Sequence, residues 1–179
     1  MSIANYTKAC SKNVSGNQPS LYVAEVPNVS SVTVATGEVT AIAMLTTTYF
    51  RKVECDLDSL KRIFEGTGNR NNVMYTHGVE GRLAKASKEM NTLLDSFADA
   101  SPCGMIAVME DSNGTQWLIG YNTVDELARP LFLAQDNFDS GESPEDEEGN
   151  NNFFRLETKS GYRQLPLAST FDIATLLEP

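Results

Sequence analysis

The run from Cys103 to Tyr121 constrains the fold more than any other stretch. Met105 to Met109 is apolar at every position, Asp111-Ser112-Asn113-Gly114 follows, and Trp117 to Ile119 answers it. Asn-Gly tolerates the positive φ angles of a tight turn, so the stretch predicts a β-hairpin. Successive side chains of a strand point to opposite faces, so a strand apolar throughout must be covered on both. A helix is the expected cover. Leu83, Ala86, Met90, Leu93, Leu94 and Phe97 recur at three and four residues, which places a helix over about residues 80–98.

The remaining segments are mostly β-prone. A polar arm, residues 1–19, precedes one β-rich domain, residues 20–179. Leu21 to Val26 and Val29 to Val34 read as strands, and Gly37 to Val53 as one very long strand. Leu57, Leu60, Ile63 and Phe64 sit at helical spacing, with Asp56 or Asp58 placed to cap a short helix over 55–65. Gly66 to Asn72 reads as a loop, Val73 to His77 as a brief strand, and Pro130 to Ala134 as a strand starting at its proline. Val124 to Ala128 is ambiguous. Residues 136–152, with their acids and turn formers, are expected to form a mobile loop. Phe153 to Thr158 is a strand turned by Ser160-Gly161, and Phe171 to Leu177 a closing one. The expected class is mainly β with α, an antiparallel sandwich or barrel flanked by one main helix.

Charge narrows the possible partners. Twenty-four Asp and Glu against fourteen Lys and Arg give −10 over 179 residues. Such a surface repels phosphates and anionic lipid, so neither nucleic-acid binding nor membrane attachment is expected. The three cysteines, Cys10, Cys55 and Cys103, are widely spaced and read as free thiols in a reducing cytosol. No charged segment followed by an apolar one marks a signal peptide, and no run approaches the roughly 20 apolar residues of a membrane helix. Asn5, Asn13, Asn28 and Asn113 fit the glycosylation pattern but have no secretory route.

Catalytic chemistry finds no pattern. Gly66-Thr67-Gly68 lacks the lysine and hydroxyl of a phosphate loop. His77 is the single histidine, and no spacing ties it to Cys55 or Asp95 as a general base. Glu142, Glu145, Asp146, Glu147 and Glu148 lack the alternating order of a calcium loop. Trp117 reads as a core or interface aromatic. Neither catalytic residues, nor a metal, nor a cofactor is expected.

A very long strand leaves backbone groups unpaired, and pairing with a copy of the same chain is one way to cover them. The order of Ala35-Thr-Gly-Glu-Val-Thr-Ala-Ile42, one prominent helix, the Asp-Ser-Asn-Gly hairpin with Gly120-Tyr121, an acidic Ser140-Gly141 loop and closing strands resembles the tail-tube proteins of tailed bacteriophages, in particular small structural proteins of phages infecting Bacteroidetes. The resemblance implies a virion protein, assembled in the host cytoplasm, whose hexameric rings stack into a tube and contact other tail or connector proteins. DNA passes through without sticking, because carboxylates lining the channel repel it. Val39, Ala41, Ile42, Met44, Tyr49 and Phe50 are the expected subunit interface, and Glu38 and Glu54 the expected lumen or rim residues. Replacing Ile42 with proline is expected to abolish assembly. The alternatives are a head-to-tail completion, connector or decoration protein, and a small host binding module or hydrolase built on a pocket holding His77 with a carboxylate or Cys55.

Overall fold

The computed structural model describes residues 16–69, 72–84, 87–139 and 151–178. Eleven strands and one α-helix run in the order β1 (Asn17–Glu25), β2 (Val29–Ala35), β3 (Glu38–Met44), β4 (Arg51–Glu54), β5 (Lys61–Asn69), β6 (Asn72–Ala84), α1 (Lys88–Ala100), β7 (Met105–Asp111), β8 (Gln116–Ile119), β9 (Phe132–Asp139), β10 (Asn151–Ser160) and β11 (Leu165–Pro166) among the described residues. They form a five-stranded sheet ordered β11-β8-β7-β1-β4, a four-stranded sheet ordered β5-β6-β10-β9, and the two-stranded hairpin β2-β3. Every ladder is antiparallel. The chain is thus mainly β with one helix.

The apolar run at the centre behaves as its pattern requires. Met105, Ala107 and Met109 of β7 join Leu21 and Val23 of β1 in one cluster with Val79, Phe154, Leu156 and the helical residues Met90, Leu94 and Phe97. Ile106 and Val108 join Ala24 and Leu118 in a second cluster, covered by Val29, Val39 and Ile42 of the β2-β3 hairpin and by Leu167 and Ile173. The five-stranded sheet is therefore the middle of three layers. On one side lie the four-stranded sheet and α1, on the other the hairpin and the C-terminal segment. The β7-β8 turn is held by Asp111, whose Oδ1 accepts from the backbone N–H of Asn113 and of Thr115 at 2.9 and 3.0 Å.

The helix begins later than its apolar spacing predicts. Ser87 caps it, its Oγ accepting from the Met90 N–H at 3.1 Å, while Leu83 belongs to β6 and reaches the core by strand alternation with Val79. Ala86 lies outside the described residues. The long strand is broken in two. Thr48 Oγ1 and N–H both donate to the Leu45 carbonyl, at 2.8 and 3.1 Å, and Thr47 takes φ 65°, so the chain turns between β3 and β4. Hydroxyls that satisfy nearby carbonyls compete with a ladder, and Thr47 and Thr48 supply them here.

The expected helix over 55–65 is instead a turn followed by β5. Asp58 has φ 61°, and the Ser59 hydroxyl donates to the Asp56 carbonyl and accepts from the Arg82 N–H, which starts the β5-β6 ladder. Leu57 is left exposed. The same ladder runs through Gly66, Thr67 and Gly68, so this stretch is strand up to Asn69 and no loop. Long-range pairing overrode the local helical spacing. Phe171 to Leu177 is no strand either. A short 3-10 helix, Ile173–Leu176, is capped by Asp172, whose Oδ1 accepts from the Ala174 N–H at 2.9 Å. Residues 136–139 extend β9 rather than a loop, Val124 to Ala128 lies in a turn gathered by the Asn122 side chain, and both the arm before residue 16 and the acids of 142–148 fall outside the described residues.

Candidate functional site

The residues expected at the subunit interface divide into two groups. Val39, Ile42 and Phe50 are 0%, 5% and 1% exposed, so their side chains are used up inside this chain. Ala41 is exposed, and Met44 and Tyr49 are half-buried. The backbone of β3 is also engaged: it pairs with β2, and the Ala168 N–H donates to the Val39 carbonyl at 2.8 Å. Proline at Ile42 would therefore damage the subunit core before any assembly was tested. Glu38 stands exposed at the tip of the β2-β3 hairpin. Glu54, on a different sheet, is exposed and accepts from Lys52 Nζ at 2.6 Å, which lowers the carboxyl pKa.

His77, Cys55 and Asp95 are not organised as a catalytic group. The His77 ring is enclosed at 1% exposure, its Nε2–H donates to the Tyr162 carbonyl at 2.7 Å, and burial pushes its pKa down despite that bond. Cys55 packs against Gly81, and burial pushes its thiol up to about 12, so it stays protonated. Asp95 is on the exposed side of α1. No group of three or more His, Cys, Asp or Glu among the described residues is placed to hold a metal. No helix among them is long and apolar enough to cross a membrane.

At the margins of the four-stranded sheet lie two long strands that pair with no further strand among the described residues. β5 and β9 are its two outer strands, nine and eight residues long. β9 is mostly exposed, with Phe132 at 45% and Phe138 at 53% exposure, and it carries Asp136 and Asp139 without a basic residue. β5 begins Lys61-Arg62. The register sorts their side chains. Asp136 is opposite Phe154 and Phe138 opposite Asn152, so both lie on the core-facing side of the sheet, as do Arg62 and Phe64, opposite Val79 and His77.

Beside β5 opens a cleft of about 340 Å³ lined by Arg62, Phe64, Trp117, Arg163, Gln164 and Pro166. The Arg62 guanidinium stacks 3.8 Å from the Trp117 ring centroid and donates to Gln164 Oε1 at 3.1 Å, while Gln164 Nε2 donates to the Ile63 carbonyl at 2.9 Å. Trp117 Nε1–H donates to Asp111 Oδ2 at 3.2 Å. Phe64 stacks on Tyr75 with centroids 5.1 Å apart, and Arg163 lies 5.4 Å from each of the two rings. Sequence reasoning singled out Trp117 and missed the other members. The signal was there in Arg62 and Phe64, two apart as strand neighbours on one face, but the helical reading of 55–65 hid it.

Together these features define a mainly-β protein of packed antiparallel sheets in which β5 and β9 have no further strand paired to them among the described residues. No family model, curated protein or solved structure matches the chain.

Proposed function

We propose that this chain is a virion structural protein, a tail-tube subunit that joins copies of itself into stacked rings around a passage for DNA. The observation that carries the reading is the four-stranded sheet, whose two outer strands have no further strand paired to them among the described residues, are of nearly equal length and differ in the sign of their net charge. Its strands alternate in direction, so β9 of one copy meets β5 of the next antiparallel when all copies point the same way along a ring axis. Such a contact is head-to-tail, and a rotation that closes gives a ring with no edge left over.

The sheet face turned away from the core would then line the passage. It carries two ion pairs, Lys61 with Glu80 at 3.2 Å and Arg155 with Glu157 at 2.7 Å, which leaves these two cations less available to phosphate, while Lys159 stands exposed on the same face. The surplus of −10 supplies the repulsion, while Glu38, on the hairpin layer behind the middle sheet, lies on the side away from this passage. The particle forms in the host cytoplasm and ends in the virion beside other tail or connector proteins. Negative-stain imaging with mass measurement at two protein concentrations tests this. Rings or short tubes whose size grows with concentration are expected, a single discrete ring points to a connector, and one-copy mass at both concentrations overturns the reading.

A further inference from the structure

We propose that the cleft beside β5 is the seat for Phe138 and Asp136 of the neighbouring copy, the phenyl ring entering between the aromatic walls and the carboxylate pairing with Arg163. This deepens the edge-to-edge reading above and rests on it. Three observations converge on the occupant. Facing residues of paired strands share a side, and Asp136 and Phe138 are on the same side of the sheet as Arg62 and Phe64. An apolar cavity of roughly 150 Å³ takes benzene, so 340 Å³ accommodates a phenyl ring and the stem of a second side chain. The charges are complementary: Arg163 is exposed and has no carboxylate partner among the described residues, and Asp136 is exposed.

The register follows from space. With Phe138 opposite Phe64, Asp136 falls opposite Gly66, which has no side chain in the way. The partner of Gly66 across the β5-β6 ladder is Tyr75, one of the two rings beside which Arg163 lies. A half-exposed phenylalanine on one margin and a half-empty aromatic cleft on the other are then two halves of one contact, and each is incomplete without the other copy.

The experiment reads assembly of the full chain by mass photometry and negative-stain imaging for wild type, Asp136→Lys, Arg163→Asp and the double variant, with thermal melts to confirm folding. Each single variant sets like charges against each other at every junction, because every copy has one donor margin and one cleft. Each is expected to need at least about tenfold more protein to assemble. The double variant restores an opposite pair and is expected to assemble like wild type, as is an equimolar mixture of the two singles, in which every junction between unlike copies is complementary. If wild type assembles and either folded single variant assembles equally well, the cleft serves something else, such as a small aromatic anion, and the seat is wrong while edge pairing stands. A folded double variant that fails to recover also overturns the seat. Wild type that stays a single copy removes the edge reading and the seat with it.

Discussion

The five-stranded and four-stranded sheets share a core and differ in what surrounds them. The first is covered on both faces, and its outer strands β11 and β4 are only two and four residues long. The second is covered on one face, ends in outer strands of nine and eight residues, and keeps its charges on the open side and at the margins. Short outer strands are a common way of keeping a sheet from pairing with strangers, and long exposed ones invite pairing. The middle sheet thus holds the larger share of the buried core, and the outer sheet offers the long strands to which the proposed neighbouring copy would pair.

Substitutions that act on one sheet and spare the other sharpen this division. Ile106→Ala empties a fully buried site in the middle sheet and is expected to cost about 2–5 kcal/mol in denaturant unfolding. A loss under about 1 kcal/mol would mean that the middle layer is not the stability centre. Gly104→Ala comes next. The glycine has φ 83°, and an added Cβ would stand 2.1 Å from Pro130 Cγ, so a loss above about 1 kcal/mol is expected at the junction of α1 and β7.

His77, on the core side of the outer sheet, gives a pH-dependent effect. Its folded pKa is lowered by burial, so the unfolded chain binds the proton more readily. Its contribution is complete above the unfolded value of about 6.5 and is lost as pH falls through that value toward the folded one. Comparing the slope of unfolding free energy between pH 7.5 and 5 in wild type and His77→Gln checks this, and equal slopes would rule it out. The smallest effect on the single subunit is expected from Phe138→Ser, within about 0.5 kcal/mol because the side chain is half exposed. A large loss in its thermal melt would show that Phe138 belongs to the subunit's own core.

How much the sequence showed depended on whether neighbours or distant partners decided a segment. The β7-β8 hairpin was legible because a strand apolar at every position, followed by Asn-Gly, has one physical solution, burial on both faces. The helix was legible from Met90 to Phe97, but its start was not, since Leu83 matches a helical stripe as well as it matches strand alternation with Val79. The candidate site was legible only in Trp117. Arg163 and Gln164 reach Phe64 and Arg62 across about a hundred residues, and no local pattern marks such a meeting.

The sequence by itself determined the mainly-β class, the charge of −10 and a central strand covered on both faces, since these follow from residue types and spacing. Only the tertiary structure decided where the chain turns between β3 and β4, that residues 61–69 are a strand, and that the open margins are β5 and β9. The reason is that a backbone hydrogen bond in a sheet joins residues far apart in the chain, so the energy that selects a strand, and leaves another without a partner, is absent from any short window of sequence.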